Sequence, residues 1–186
     1  ENPARWRGNL DAVLPKPSKV AKVVHHPALS LADASQWFAD LRARNGSATR
    51  ALEFMALTAT RSGEIRGAKW SEVDLDARLW TIPSDRMKAG KEHRVPLTDA
   101  GVALLTMLDR MAGSEFVFPA VRGGMLSDAA LSACMKRINE ARSNGGYCDS
   151  RSGRPAVPHG LRSTFCSVDV WNKGIPREMA EIALAH

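Results

Sequence analysis

Apolar residues recur at helical spacing along most of this chain. The pattern is broken most clearly by two short β-type runs close together, Leu79-Trp80-Thr81-Ile82 and Arg94-Val95-Pro96-Leu97. These runs are expected to pair, with Lys88-Ala89-Gly90-Lys91 at the turn. Around them the periodicity is helical. Leu31, Ala34, Phe38 and Leu41 mark a helix from Ser30, with Asp33 near its cap, to Arg44, where Asn45-Gly46 ends it. Leu52, Met55, Ala56 and Ala59 mark a second from Ser47 to Ala59, and a shorter piece covers Gly63 to Ala68. Thr98 or Asp99 caps a helix carrying Val102, Leu105 and Leu108 that ends near Gly113. Phe116-Val117-Phe118-Pro119 reads as a short buried extended piece. Further helices run from Ser127 to about Arg142, from His159 to Lys173 and from Pro176 onward, where proline suits the first turn. The fold class is α+β, mainly α-helical with a small antiparallel β-sheet.

Residues 1–28 have a different character. Pro3, Pro15, Pro17 and Pro27 interrupt them, and Arg5, Arg7, Lys16, Lys19 and Lys22 make them basic. They read as a basic linker from an upstream domain, and residues 29–186 as the domain it serves.

The chain carries 26 lysines and arginines against 20 aspartates and glutamates, a formal charge of +6, which suits a polyanionic partner. Its three cysteines, Cys134, Cys148 and Cys166, are odd in number and form no CxxC pair. A disulfide framework is not expected, and a reducing cytoplasmic setting fits better. His25-His26 has no cysteine nearby, so no zinc site is expected. No stretch approaches the roughly 20 apolar residues of a membrane span. Trp37, Trp70 and Trp80 are expected in the core rather than as a base-stacking platform.

Against this background a set of basic residues stands out: Arg61, Lys88, His159, Arg162 and His186. Moving a phosphodiester requires its charge to be held while a trigonal-bipyramidal transition state forms. An arginine fork meets two phosphate oxygens at once, so Arg61 and Arg162 suit that task. His159 and Arg162 are three apart at a helix start and so share a face. The backbone N–H groups there also favour an anion. Lys88, on a hairpin, suits proton donation to a leaving oxygen. His159 suits proton exchange with a nucleophile, and His186 a hydrogen bond to the phosphate. Taken singly, each residue has an ordinary reading as a surface, ion-pair or helix-end residue.

Together these residues resemble the catalytic domain of the tyrosine recombinase family, with the nearest likeness to phage-type and genomic-island integrases. The matching pieces are Thr60-Arg61-Ser62-Gly63-Glu64-Ile65-Arg66-Gly67-Ala68, Trp70-Ser71-Glu72-Val73-Asp74-Leu75, Trp80-Thr81-Ile82-Pro83, the hairpin from Lys88 to Leu97, the run from Val157 to Phe165, and Ile182-Ala183-Leu184-Ala185-His186. The resemblance implies the tyrosine recombinase catalytic-domain fold. It also implies a site-specific recombinase or integrase that breaks and rejoins DNA by transesterification, through a 3′-phosphotyrosyl intermediate. In that scheme Arg61 and Arg162 bind the scissile phosphate. Lys88 protonates the leaving 5′ oxygen, His159 is an acid or base, and His186 supports the phosphate. Glu64 buttresses Arg61, and Lys91, His93 and Arg94 contact DNA. The bond energy is conserved, so no metal, ATP or other cofactor is implied. The implied partner is double-stranded DNA bearing attachment sites, with four protomers on two duplexes.

The family's nucleophile follows the position of His186, and the chain is expected to be a fragment cut before it, inactive as it stands. The only tyrosine, Tyr147, precedes His159 in a glycine-rich loop and is expected to have a loop or DNA-contact role instead. Arg61→Ala and Arg162→Ala are expected to abolish cleavage and leave the fold intact. Two alternatives compete with the enzyme: a non-catalytic DNA-binding or regulatory module derived from an integrase, and an unrelated metal-dependent phosphate-handling enzyme.

Overall fold

The computed structural model describes residues 25–143 and 145–167, with the side chains of Cys166 and Ser167 excepted. Residues 1–24 of the expected linker, the segment of the expected penultimate helix beyond residue 167, the expected helix from Pro176, and His186 lie outside the described residues.

Among the described residues six helices surround a three-stranded sheet. Helix α1 (Leu31–Arg42) turns Trp37 and Leu41 inward. Ser30 holds its N-cap position, but the hydroxyl makes no cap hydrogen bond. Instead the Asp33 N–H donates to the Ser30 carbonyl at 3.1 Å. Helix α2 (Ser47–Thr58) is the central element, packed against its neighbours on several sides and burying Leu52, Phe54 and Met55. The short α3 (Ser62–Arg66) follows after one turn.

The sheet order is β1 (Val73–Asp74), β2 (Leu79–Ile82), β3 (His93–Pro96), antiparallel throughout. Trp80 pairs with Val95 and Ile82 with His93. Alternation along β2 sends Trp80 and Ile82 into the core and leaves Leu79 and Thr81 half-buried. The Trp80 ring meets Phe54 of α2 at 5.4 Å between centroids, and Phe54 meets Phe118 at 5.6 Å. Each such ring, once buried, contributes on the order of 1.5–3 kcal/mol from area alone. This cluster therefore welds the sheet to the helices. Strand β1 was not foreseen, because two residues are too short to show a period.

Helix α4 (Asp99–Thr106) is capped by Thr98, whose hydroxyl oxygen accepts from the Gly101 N–H at 3.3 Å. It stops at Thr106 rather than near Gly113. Continuing it would have little to bury, since Met107 and Met111 are exposed. It would also place Asp109 at the negative end of the helix dipole. Arg110 instead lays its guanidinium over the Trp70 ring, 4.4 Å from the centroid. Helix α5 (Asp128–Glu140) packs on α2 and α3, and α6 (Gly160–Ser167) packs on α2. Among the described residues no helix is long and apolar enough to cross a membrane.

Candidate active site

The site begins where α2 ends. Ala59 adopts a left-handed conformation, φ 52°, which turns the chain sharply, and α3 starts at Ser62, three residues later. A non-glycine residue there carries a cost of about 1–2 kcal/mol. Neighbouring contacts hold the turn: the Thr58 hydroxyl donates to the Phe54 carbonyl at 2.8 Å, and the Thr58 and Thr60 hydroxyls lie 2.9 Å apart.

Arg61 occupies the N-cap position of α3. Glu64, three residues on and 4% exposed, uses both carboxylate oxygens on it. One accepts from the Arg61 backbone N–H at 2.7 Å, and the other pairs with the Arg61 guanidinium at 2.9 Å. The first contact satisfies an orphan helix N–H. The second fixes the side chain while leaving the guanidinium 23% exposed. Glu64 thus contacts both the backbone and the side chain of Arg61.

Arg162, on the first turn of α6, is buried, and its guanidinium donates to the Ala59 carbonyl. This contact spans 103 residues of sequence and brings Arg162 to the turn that presents Arg61. His159 lies just before α6 with an exposed ring, and its carbonyl accepts from the Arg162 N–H at 3.3 Å.

Residues 25–29 reach the same place. The His26 and His159 rings sit 4.3 Å apart. The Pro27 carbonyl accepts from the Val157 N–H at 3.1 Å, and the Leu29 carbonyl from the Thr164 hydroxyl at 2.8 Å. Gly160 makes this approach possible: a Cβ there would lie 1.8 Å from the Pro27 oxygen. Residues 26–29 are thus packed against α6 and the residues that lead into it.

Lys88 lies at the exposed tip of the β2–β3 hairpin, in a turn closed by the Gly90 N–H bonding the Met87 carbonyl at 2.9 Å. Among the described residues neither Lys88 nor Lys91 has an ion pair. Arg94 is exposed and paired with Glu92 at 2.9 Å, and His93 is half-buried in β3. The structure therefore joins Arg61, Glu64, Arg162 and His159 through the α2–α3 turn and α6. It leaves Lys88 on a separate projecting element, and His186 is outside the described residues.

Sequence reasoning missed Arg86 and Glu72. Arg86 donates to the Glu72 carboxylate and to the Glu64 backbone carbonyl. Glu72 also accepts from the Trp80 indole at 3.0 Å and from the Lys69 N–H at 3.2 Å. Glu72 stood within a quoted motif, but nothing in its spacing pointed to Arg86.

Tyr147 corrects the expected loop or DNA-contact role. It is 1% exposed, its hydroxyl donates to Asp40 at 2.7 Å, and Arg142 stacks on its ring at 4.5 Å. Burial first, then the hydrogen bond to the Asp40 carboxylate, pushes its pKa up to about 12. The same hydrogen bond is the main reason the Asp40 carboxyl lies below its ordinary range. A neutral, buried phenol committed to a carboxylate is a structural pin between α1 and the loop after α5, and has no access to a phosphate.

The phage integrase family model matches residues 28–186, and the chain belongs to that family. It is 35% identical over 133 residues to prophage integrase IntA of Escherichia coli K12, covering 70% of this chain and 29% of that protein. To the integrase of Enterobacteria phage P4 it is 33% identical over 157 residues, covering 76% and 34%. The chain thus spans about a third of the length of these curated relatives. Among solved structures it resembles XerA recombinase, with a TM-score of 0.67 and 20% identity over 95% of this chain and 60% of that one. It also resembles a lambda integrase dimer bound to a COC′ core site, with a TM-score of 0.67 and 22% identity over 89% and 46%. At these identities the likeness is one of fold.

Proposed function

We propose that this chain is the catalytic domain of a site-specific DNA recombinase that integrates a mobile element. Its substrate is duplex DNA carrying attachment sites. The observation that carries the reading is the junction of Arg162 with the turn that presents Arg61. Two forks, one on the turn and one on α6 bonded to it, supply the four or more N–H donors that the non-bridging oxygens of a scissile phosphate require.

In this reading a tyrosine hydroxyl attacks phosphorus, the bond to the 5′ oxygen breaks, and the protein is left on the 3′ phosphate. Arg61 and Arg162 hold the developing charge, and Glu64 keeps Arg61 aimed. His159 exchanges the nucleophile's proton, Lys88 protonates the departing 5′ oxygen, and His186 adds a contact to the phosphate. Lys91, His93 and Arg94 extend the hairpin's contacts along the DNA backbone. The covalent link conserves the bond energy, so strand joining is the reverse step and runs without metal or nucleotide.

The burial of Tyr147 supports a nucleophile other than that residue, supplied from outside these 186 residues. On this reading the 186 residues alone do not cleave. The family likeness, and a relative in fold solved as a lambda integrase tetramer bound to a Holliday junction, support a working assembly of four protomers on two duplexes in the cytoplasm.

The test incubates the gene product containing this chain, in chelator, with nicked duplexes tiling the element's junction. A slower, protease-sensitive DNA-linked band on a denaturing gel is expected, with the linked peptide lacking Tyr147. Salt-sensitive binding without any adduct would instead identify a non-catalytic DNA-binding module.

A further inference from the structure

We propose that Arg86 is a positioning residue that fastens the hairpin carrying Lys88 to the turn carrying Arg61. This rests on the reading of Lys88 as the general acid.

Arg86 closes the short 3-10 turn Ser84–Arg86 at the base of the β2–β3 hairpin, two residues before Lys88. Its guanidinium is only 18% exposed and faces away from the hairpin tip, toward α3. One nitrogen bonds the Glu72 carboxylate, itself 8% exposed. Another bonds the backbone carbonyl of Glu64, the residue whose carboxylate grips Arg61. Gly67 leaves room for this fork, since a Cβ there would lie 3.0 Å from an Arg86 nitrogen. Glu72 cannot drift to follow a loose partner, because the Trp80 indole and the Lys69 N–H hold it from the other side. One planar group thus bridges the sheet, the hairpin base and the helix that presents Arg61.

Lys88 needs such an anchor. Among the described residues its ammonium has no ion pair, so its place is set by the backbone. That backbone is fixed at Met87, which is buried, and at Arg86. Without the Arg86 fork, the stretch from Ile82 to His93 keeps as anchors, among the described residues, the buried Met87 and the paired strand ends. A proton donor displaced by about 1 Å loses on the order of 100-fold in rate. A lysine at position 86 keeps the charge but reaches one partner, not two.

The test separates proton donation from phosphate binding by changing the leaving atom. With a bridging 5′ sulfur, the P–S bond breaks and a thiolate departs, which is stable near neutral pH and needs no proton from the protein. Single-turnover cleavage by the full gene product is measured on oxygen-bridged and sulfur-bridged duplexes, for the parent, Arg86→Ala, Arg86→Lys and Lys88→Ala. Both Arg86 variants are expected to slow cleavage of the oxygen substrate by about tenfold or more, and to regain most of that rate on the sulfur substrate. Duplex affinity stays near the parent's. Equal slowing on both substrates overturns the proposal and assigns Arg86 to the fold or to phosphate binding. If Lys88→Ala is not rescued by sulfur, the general-acid reading fails, and the proposal falls with it. Should Arg86→Ala not fold, Glu72→Gln gives the same comparison. It loosens the Arg86 fork while its amide oxygen still accepts from Trp80.

Discussion

The Arg162 guanidinium donates to the Ala59 carbonyl, two residues before Arg61. One hydrogen bond therefore ties the late arginine to the turn that displays the early one. Arg162 is part of the packing as well as of the site, so Arg162→Ala is not expected to leave the fold untouched, as sequence reasoning had it. Removal strands a buried carbonyl, at about 1–3 kcal/mol. For a chain of this size that lowers the melting temperature by roughly 2–4 °C per kcal/mol. Thermal unfolding followed by far-UV circular dichroism checks this; an unchanged midpoint contradicts it.

Glu64→Gln keeps an oxygen for the Arg61 N–H but gives up the charge that holds the guanidinium. Since Arg61 remains 23% exposed, water compensates part of the loss. About 1–3 kcal/mol of stability is expected to go, together with most of the cleavage rate. Equilibrium binding to the duplex is expected to change little, because Arg61 keeps its charge. A variant that cleaves like the parent removes the buttressing role.

Tyr147→Phe removes the hydroxyl from Asp40 and leaves Gln36 and Arg142 as that carboxylate's partners. Stability falls by about 1 kcal/mol, and covalent adduct formation on DNA persists. Loss of the adduct in a folded Tyr147→Phe protein restores Tyr147 as nucleophile.

The same phenol sets a pH signature. Its folded-state pKa of about 12 stands above the unfolded value near 10. The stabilisation is fully present below pH about 10 and is lost as pH rises toward 12. Midpoints measured between pH 9 and 12 should therefore fall more steeply for the parent than for Tyr147→Phe. Parallel curves would show that the phenol titrates normally.

Gly160→Ala drives a methyl group into the Pro27 carbonyl. Residues 26–29 are expected to detach from α6, with faster amide exchange at Val157, whose N–H loses its acceptor. Exchange measured by mass spectrometry on the variant and the parent decides it; identical protection at Val157 contradicts the close packing.

These outcomes bear on how far the sequence could be read. The long helices and the hairpin were legible because apolar residues such as Leu41, or Trp80 and Ile82, repeat at the period of the element that buries them, although α1 buries Trp37 and leaves Leu31 of the expected set exposed. The end of α4 was not, since Met107 and Met111 continue a pattern with nothing to cover it. Arg61, Glu64, His159 and Arg162 were legible through their motifs. Arg86 and the His26 ring were not, because their partners lie on other elements and no local period encodes such contacts. Tyr147 was misjudged for a related reason: a glycine-rich loop looks exposed until Asp40 and Arg142 are seen to enclose its tyrosine.

The central claim is that Arg61 and Arg162 neutralise one scissile phosphate. The most direct measurement compares each alanine variant of the full gene product on an ordinary duplex and on one whose scissile phosphate is a neutral methylphosphonate. Comparing substrates within one variant cancels any loss of folded protein. On the phosphodiester, single-turnover cleavage is expected to fall by about 100-fold or more. On the methylphosphonate, which carries no charge to neutralise, the fall is expected to be several-fold at most. An equal fall on both substrates contradicts the claim and leaves the two arginines as parts of the fold alone.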